Sequence, residues 1–529
     1  MSIAVSPDDS FGMIDPIAYW GQVQPGKLAI GDFSSGLQVS YGEFDARIDR
    51  CAGMLERSLG EPIGERVAVL ARNSLDFLTI HFACIRIGAI FVPLNWRLSA
   101  PEISVMVQDC APALLFVEDE FRPVADALTG GHSVKRIFQL EPAPFQALLD
   151  AAPEKPSRPR PDRADQPSTL LYTSGTTGRP KGVMVSERGA FASNINFAFS
   201  TRLSAMSVMM CDMPLFHVAG LMAGARAPLL LGATLLLSPR FDPELALQRL
   251  SDPALGITHT FYVTQMTQTL REHPAYAKAD LSRLVCLVTG GAPNPAANVQ
   301  RWLDDGVIMA DGFGMSETGS AFNMPLDDPE LIRRKVGSSG LPLVTLKYRL
   351  VKADGSEAGP REVGELRLKG PSVTIGYWNQ PEATKAAFDE QGYLKSGDLA
   401  YADEDGFIFI VDRLKDMFIS GGENVYPTEV ESVIAELDMV SEAAVIAVPD
   451  PQWGEAGLAY VVPVPGASVT PEEVIAHVRS RLARYKAPKR VVISEHLPRT
   501  ASGKLQKNLI REQALKELEA EQAIDAQGA

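Results

Sequence analysis

The ten residues Thr173–Gly182 read TSGTTGRPKG and combine three glycines, four hydroxyl side chains and one lysine. The apolar runs on either side, Ser168–Tyr172 and Val183–Val185, predict two buried strands. Glycines let a backbone turn sharply and expose its N–H groups, and hydroxyl and ammonium groups add further donors for phosphate oxygens. The stretch therefore predicts a strand, a polyphosphate-holding loop and a second strand. The loop donors are Thr173, Ser174, Gly175, Thr176, Thr177, Gly178 and Lys181.

This loop departs from the phosphate loop of ordinary nucleotide triphosphatases. Pro180 stands where that motif has the glycine before the lysine, and no Ser or Thr follows Lys181. A cluster of Gly, Ser and Thr is by itself usually a plain loop. The whole string instead resembles the AMP-binding signature of the acyl-adenylating superfamily, which contains acyl-CoA synthetases, the adenylation domains of peptide synthetases and luciferases.

Length and charge limit the class of protein. A chain of 529 residues is too long for one hydrophobic core, so at least two domains are expected. A hydrophobic fraction of 46% with 22% charged residues is typical of soluble globular proteins. The net charge of −15 argues against nucleic acid or an anionic membrane surface as the main partner, because both are polyanions.

Cysteine usage and the N-terminal residues favour a cytoplasmic location. The five cysteines are scattered without CxxC spacing, so we expect reduced thiols, no disulfide and no zinc site. The first residues, MSIAVSPDDSFG, lack the basic and apolar regions of a signal peptide. No window approaches the run of about 18 apolar residues that a membrane span needs, so no integral span is expected.

The pattern along the chain predicts an α/β fold of two domains. Helical spacing over Phe44–Leu55 and Phe77–Ile87 alternates with a strand at Arg66–Leu70, and a more β-rich portion runs from Gly337 to Ile410. The charged sequence VDRLKD, Val411–Asp416, follows it. We predict a large, multi-sheet N-terminal domain that forms adenylates, residues 1–412, and a small, mobile α+β C-terminal domain, residues 413–529.

Helix signals define the smaller domain. Pro427 is expected to open a helix with Val430, Val433, Ile434 and Leu437 on one face. Thr470, Pro471 and Glu473 form an N-cap, first-turn proline and capping box for a second helix.

The family resemblance gives roles to two motifs that follow the loop. Gly290–Pro293 (GGAP) resembles the turn beside the adenine and acyl pockets, which assigns Gly291, Ala292 and Pro293 to ligand binding. Asp311–Thr318 (DGFGMSET) resembles a second nucleotide motif, in which Phe313 lies against adenine, Ser316 contacts phosphate and Glu317 holds Mg²⁺. The remaining nucleotide-binding positions of this motif are Asp311, Gly312, Gly314 and Met315.

Three further positions match the family's ribose clamp and its catalytic lysine. By resemblance Asp398 accepts hydrogen bonds from the ribose hydroxyls, and Arg413 donates to ribose or phosphate oxygens. Lys504 in PRTASGKLQK matches the lysine that bridges the carboxylate and the α-phosphate. Thr173, Glu317 and His217 complete the expected catalytic set; His217 stands at the acyl-pocket entrance or is a core histidine, and no general-base role is assigned to it.

The segment after the predicted boundary resembles the family's hinge and the passage for coenzyme A. Lys415 occupies the pivot position, and a hinge is needed if one small domain serves two reactions. The positions expected beside the pantetheine arm are Gly421, Gly422, Glu423, Asn424 and Trp453.

The resemblance implies an AMP-forming carboxylic acid:CoA ligase that uses ATP, Mg²⁺ and CoA. Two alternatives remain open: transfer of the acyl group to a carrier protein, and a nucleotide-binding regulator that has lost catalysis. The expected pocket is apolar and aromatic, which predicts a hydrophobic monocarboxylate, either hydroxycinnamate- or benzoate-like or a medium-chain fatty acid. A homodimer is compatible with the sequence, which contains no feature that decides oligomeric state. The pocket residues are Phe197, Phe199, Leu221, Met222, Phe261, Tyr262 and Met266.

Overall fold

The computed structural model describes residues 15–128, 134–174, 180–292, 294–420, 423–499 and 505–528. It confirms the predicted fold class: a mixed α/β chain in which a large N-terminal part is followed by a smaller C-terminal part. Among the described residues no helix combines the length and the apolar character that crossing a bilayer requires.

Half of the described α-helices begin at a residue whose side chain caps them. Ser40 and Glu43 form a capping box at the start of the 19-residue second helix, and the predicted box of Thr470 and Glu473 is confirmed. The α-helices of the described chain are α1 Pro16–Val23, α2 Tyr41–Leu59, α3 Leu75–Ile87, α4 Ala100–Cys110, α5 Arg122–Leu128, α6 Pro142–Asp150, α7 Glu187–Thr201, α8 Ala227–Leu230, α9 Pro243–Ser251, α10 Thr264–Glu272, α11 Ala296–Asp304, α12 Pro329–Arg334, α13 Pro381–Ala387, α14 Pro427–Ile434, α15 Pro471–Arg481 and α16 Lys507–Gly528. A π-helix spans Ala219–Arg226, and 3₁₀ turns span Asp119–Phe121, Tyr276–Lys278 and Arg484–Lys486.

The largest sheet has nine strands and forms the centre of the N-terminal part. Its six inner strands are parallel, and antiparallel strands close both edges. The carboxyl ends of the parallel strands therefore meet at one edge, where loops can gather around a ligand. The order is β15 (Leu341–Pro342), β14 (Gly319–Asn323), β13 (Met309–Met315), β12 (Cys286–Gly290), β11 (His259–Tyr262), β9 (Val208–Cys211), β10 (Thr234–Leu237), β1 (Leu28–Asp32) and β2 (Gln38–Ser40).

A six-stranded sheet carries the glycine-rich loop. The two predicted strands are confirmed as an antiparallel pair in which Thr173 lies opposite Lys181, and residues 175–179 between them lie outside the described residues. The other strands of this sheet run parallel to one another. Its order is β6 (Arg136–Gln139), β5 (Leu114–Val117), β3 (Arg66–Leu70), β4 (Ile90–Pro93), β7 (Pro167–Ser174) and β8 (Pro180–Ser186).

The β-rich portion is an antiparallel four-stranded sheet that packs on the edge of the nine-stranded one. Phe322 of β14 lies 5.7 Å from Tyr348, ring centre to ring centre, and joins the same hydrophobic cluster as this sheet. This packing places the sheet beside the DGFGMSET strand. Its order is β16 (Lys347–Val351), β17 (Gly364–Lys369), β18 (Leu394–Ala402) and β19 (Ile408–Arg413).

The C-terminal part has a sheet and hydrophobic clusters of its own. The two clusters found there contain only residues from Phe418 onward. The chain leaves the four-stranded sheet at Arg413 and enters the new sheet at Phe418, and the boundary at 412/413 stays a prediction. Leu437, expected on α14, lies beyond the end of that helix at Ile434. The strands are β21 (Glu423–Val425), β20 (Phe418–Ser420), β23 (Gly454–Pro463) and β22 (Val440–Asp450), and β24 (Arg490–Ile493) pairs with β23.

Candidate functional site

The base of the glycine-rich loop is built on the β7–β8 pair. Lys181 leaves β8 with its Nζ 5.1 Å from the centre of the Tyr377 ring, within the range of a cation–π contact. Gly182 allows a close approach, because a Cβ there would lie 3.2 Å from the Cβ of Trp378 and from the ring of Tyr172. Thr173 and the backbone of Ser174 end β7. Gly175, Thr176, Thr177 and Gly178 lie outside the described residues, as does the side chain of Ser174.

Glu317 and Lys181 both contact Tyr377. The Tyr377 hydroxyl donates to Glu317 Oε1 at 3.1 Å, and Glu317 is 9% exposed. Burial, together with the Glu317 charge, raises the pKa of Tyr377, so the phenol stays a proton donor. The structure thus brings Lys181 and Glu317, two residues predicted from the sequence, to the same tyrosine.

Tyr377 was not predicted, and neither was its neighbour Trp378. The backbone N–H of Trp378 donates to the carbonyl of Gly182 at 2.8 Å, which connects this aromatic pair to β8. The signal in the sequence was weak: two aromatic residues follow Gly376 without any charged neighbour.

The glycines of the DGFGMSET strand have a packing explanation. A Cβ at Gly312 would lie 2.9 Å from the carbonyl oxygen of Phe322, and one at Gly314 would lie 2.4 Å from that of Gly319. A Cβ at Gly290 would lie 2.6 Å from the carbonyl oxygen of Gly312. Close strand packing alone therefore requires these glycines, and their contact with a nucleotide stays a prediction.

The side chains of the same strand differ in burial. Asp311 is buried, and this burial raises the pKa of its carboxyl group despite hydrogen bonds from Asn294 and the Gly312 N–H. The Phe313 ring is half-buried, 6.1 Å from the ring of Phe322. Met315 pairs with Gly319 across the turn, whose Ser316 lines a small cavity shared with Val218 and Met222. The GGAP turn begins at Gly291, which has a φ of +82°, and continues through Ala292; Pro293 lies outside the described residues.

Asp398 and Arg413, the residues predicted to clamp the ribose, form an ion pair on adjacent strands. They lie opposite each other on β18 and β19, with Arg413 Nε 2.7 Å from Asp398 Oδ1. The aspartate side chain is 4% exposed and the arginine side chain 43% exposed. A buried acceptor beside an outward-reaching donor suits a ribose hydroxyl and a nearby phosphate.

His217 follows β9 at the carboxyl edge of the nine-stranded sheet. Its ring is half-buried, 4.5 Å from the ring of Phe216. Arg97, which the sequence reasoning missed, places its guanidinium 5.9 Å from the Phe216 ring and 5.0 Å from the Trp96 ring. Partial burial lowers the pKa of Arg97. The sequence signal was a Trp–Arg pair just after a parallel strand.

The expected acyl-pocket residues are not all placed as predicted. Phe197 stacks on Phe261 at 6.0 Å and is buried, but Phe199 is 70% exposed, so its assignment was wrong. Residues two apart on a helix point about 200° apart, so these two phenylalanines of α7 cannot share one face. Tyr262 is fully buried and donates its hydroxyl to Asp212, whose pKa burial raises to about 6.

The hinge and CoA positions are partly described. Lys415 is exposed in the turn between β19 and β20, and Glu423 and Asn424 are exposed on β21. Trp453 is 40% exposed at the β22–β23 turn, with Lys489 Nζ 6.0 Å from its ring. Gly421, Gly422 and Lys504 lie outside the described residues.

Comparisons with known proteins identify the family of this chain. A family model described as AMP-binding enzyme matches residues 17–378, and one described as AMP-binding enzyme C-terminal domain matches residues 429–504. Feruloyl-CoA synthase of an Amycolatopsis species is 39% identical over 476 residues, covering 90% of this chain and 94% of that protein. Indoleacetate–CoA ligase of Aromatoleum aromaticum is 35% identical over 498 residues, covering 93% and 96%.

A solved structure extends the agreement to the whole fold. ATP-bound MatB from Rhodopseudomonas palustris matches with a TM-score of 0.87 at 30% identity, covering 94% of this chain and 98% of that one. Enzymes of this family use a carboxylic acid, ATP and CoA as substrates. The chain therefore belongs to the AMP-binding enzyme family, as an AMP-forming acyl-CoA ligase.

Proposed function

We propose that this ligase converts a hydrophobic monocarboxylate, ATP and CoA into an acyl-CoA thioester, AMP and pyrophosphate. The acid is aromatic, of the hydroxycinnamate or benzoate type, or a medium-chain fatty acid. The observation that carries the proposal is the grouping of Lys181, Tyr377 and Glu317 at the base of the glycine-rich loop, together with the Asp398–Arg413 pair.

In the first half-reaction a carboxylate oxygen attacks the α-phosphorus of ATP, and pyrophosphate leaves. Lys181 and the loop donors hold the departing phosphates, and Asp398 and Arg413 orient the ribose. Carboxylate and α-phosphate repel each other, so a cation between them lowers the barrier; we assign this role to Lys504.

Glu317 would hold Mg²⁺ together with ATP oxygens. Its Oε1 accepts from Tyr377, whereas its Oε2 accepts no hydrogen bond from the residues that the structure describes. One carboxylate oxygen that remains available fits an ion whose other ligands are phosphates and water. The bound ion would neutralise phosphate charge, and Tyr377 fixes the orientation of the carboxylate.

In the second half-reaction the CoA sulfur attacks the adenylate carbonyl, the thiol proton is lost and AMP leaves. The C-terminal part would rotate about Lys415 to replace Lys504 with the face that carries Gly421, Gly422, Glu423 and Asn424. Trp453 would lie beside the pantetheine arm. ATP and CoA are cytoplasmic metabolites, which supports a cytoplasmic location; a homodimer stays a prediction.

Two observations support an aromatic acid over other acids. In the Phe197–Phe261 stack Phe197 is buried and Phe261 half-buried, and both rings join the same hydrophobic cluster as Leu221 and Met222 of the π-helix, which offers an apolar aromatic surface there. The related proteins act, by their names, on feruloyl and indoleacetate groups, which are both aromatic. Aromatic rings pack favourably in offset or edge-on contact with such a surface.

The test is an acid panel assayed for pyrophosphate and AMP release, with and without CoA. We expect ferulate, benzoate or octanoate to be turned over, with malonate and amino acids at least about tenfold poorer in kcat/KM. AMP release that does not respond to CoA, without a thioester product, would point to a carrier protein as acceptor. Preference for a dicarboxylate would contradict the substrate class.

A further inference from the structure

Asn73 connects the two sheets of the large part. It follows β3 of the six-stranded sheet and is 2% exposed. Its Nδ2 donates to the carbonyl of Met213 at 2.9 Å and to that of Ser238 at 3.0 Å. Its Oδ1 accepts from the Leu215 N–H at 2.8 Å. All three partners are backbone groups just after β9 or β10 of the nine-stranded sheet, so one side chain holds the carboxyl edges of both sheets.

These bonds fix the segment Met213–His217. Among the described residues the Leu215 N–H donates only to Asn73, and an unpaired N–H at this fully buried position would be unfavourable. A primary amide is needed, because the site requires two donors and one acceptor on one short side chain. Aspartate has no donor, and alanine would leave three backbone groups without this partner.

The segment in turn places the elements that border the expected acyl pocket. His217 continues into the π-helix, whose Met222 lines the small cavity with Val218 and Ser316. Gly220 packs directly on the segment, since a Cβ there would lie 2.1 Å from the carbonyl oxygen of Pro214. With so little space, a shift of the segment moves the π-helix with it.

We propose that Asn73 is a positioning residue for acid binding: it holds Met213–His217, and through this segment the π-helix, in the geometry that accepts the substrate acid. The inference rests on the proposed function only for the identity of the ligand. Lys181, Glu317 and Asp398, which are assigned to ATP, lie on other elements. Replacement of the Asn73 amide therefore weakens binding of the acid more than binding of ATP.

The test compares Asn73→Ala and Asn73→Gln with the wild type and with Tyr41→Phe. Tyr41 is also fully buried and donates one hydrogen bond, to the carbonyl of Ala233 at 2.7 Å, but it belongs to α2 and has no assigned role. Gln keeps the amide and lengthens its reach by one methylene, so it is the variant to use if Ala does not fold.

Two measurements decide. Hydrogen–deuterium exchange needs no substrate, and we expect the peptide covering 213–217 to exchange at least about tenfold faster in the Asn73 variants only. With the best acid of the panel, KM for the acid rises at least about tenfold in Asn73→Ala and about threefold in Asn73→Gln, while KM for ATP stays within about twofold.

Unchanged exchange at 213–217 would overturn the proposal, and so would equal rises of KM for the acid and for ATP. If the wild type activates no acid of the panel, the proposed function fails. The exchange result then still decides whether Asn73 holds the segment.

Discussion

Two carboxylate–cation clusters, one inside the large part and one at its junction with the C-terminal part, hold carboxyl groups whose pKa values move in opposite directions. Glu187 of α7 faces Arg226 of the π-helix, and both side chains are at most 10% exposed. Glu431 of α14 faces Lys507 of α16 at 2.8 Å, with side chains 15% and 16% exposed. Burial acts to raise the pKa of both carboxyl groups, so the net shift of each pKa depends on the partners of the group.

The partners of Glu187 are strong enough to reverse the effect of burial. Arg226 donates to both carboxylate oxygens, at 3.0 and 2.8 Å, and the Ser168 hydroxyl donates at 2.6 Å. Although burial acts to raise the pKa of Glu187, these contacts lower it to about 2. A bidentate arginine with a further donor thus forms a permanent ion pair.

The junction cluster shares one lysine among several acids. Lys507 acts on Glu431, Asp412 and Asp416 together, and burial keeps the pKa values of Glu431 and Asp412 above their ordinary values. Asp412 also accepts from the Thr428 N–H at 2.8 Å, which links β19 to α14. Asp412 precedes the proposed pivot at Lys415, so its contacts with Lys507 and Thr428 would separate if the C-terminal part rotates, whereas Glu431 and Lys507 would move together.

Arg226→Met should give the largest loss of stability. It leaves the Glu187 carboxylate buried without its cation, and we expect the free energy of unfolding to fall by about 3–5 kcal/mol. Urea titration measures this. Arg122→Met is the control: the Arg122–Asp126 pair, at 2.8 Å, has side chains 49% and 56% exposed, and its loss should cost less than about 1 kcal/mol. The double variant Arg226→Met with Glu187→Leu should recover most of the loss; no recovery would contradict the ion-pair explanation.

Asp212 is a buried acid that forms no ion pair with the residues that the structure describes, and Arg249 only weakly offsets the effect of its burial. Its pKa rises from 3.8 to about 6, with burial as the main cause. Because the folded-state pKa lies above the unfolded value, its contribution to stability is full below about pH 4 and is lost as the pH rises through 6. The stability of the wild type relative to Asp212→Asn should thus fall by about 2–3 kcal/mol between pH 4 and pH 7. A difference that is flat with pH in paired urea titrations would refute the raised pKa.

Lys507→Met should have a smaller and pH-dependent effect. At pH 7.5 we expect a loss of about 1–2 kcal/mol, because Glu431 is only partly buried and keeps the Val445 N–H as a donor at 2.6 Å. Since the pKa of Glu431 is raised, the acid becomes neutral early on acidification, and the loss should shrink towards pH 4.5. The Arg226→Met loss should also shrink there, because burial raises the pKa of Glu187 once its cation is gone. A larger part should remain, since the wild-type Glu187, with a pKa of about 2, is still ionised and paired at pH 4.5. Differential scanning calorimetry at both pH values compares them; equal pH dependence would remove the distinction between the clusters.

Local features of the fold could be predicted from the sequence, whereas long-range pairings could not. The β7–β8 unit and the Thr470 capping box depend on residues within a few positions of each other, so their patterns are visible. Glu187 and Arg226 are 39 positions apart, and each alone looks like a surface charge. Asn73 is 142 positions from Leu215, and nothing near it in the sequence indicates that contact.

The residue types of the candidate site could be predicted from the sequence, but the residues that hold them in place could not. Lys181, Glu317, Asp398 and Arg413 could be named because a family motif fixes their order along the chain, and their contacts with a nucleotide stay predictions. Tyr377, which contacts two of them, lies outside the motifs that the sequence analysis named. The exposure of Phe199 was missed because the segment was treated as apolar rather than as a helix with two faces.

Tyr377→Phe should give the smallest effect and extends the comparison to a carboxylate held by a neutral donor. It removes one hydroxyl hydrogen bond to Glu317 but leaves the ring beside Lys181, so we expect a stability loss of about 0.5–1 kcal/mol. Tyr377→Leu also removes the cation–π contact and should lose more than Phe does. Urea titration of both variants tests this order. Equal losses of stability in the two variants would mean that the Tyr377 ring contributes nothing beyond its hydroxyl. A loss above about 3 kcal/mol in Tyr377→Phe would mean that Glu317 depends on this donor as strongly as Glu187 depends on Arg226.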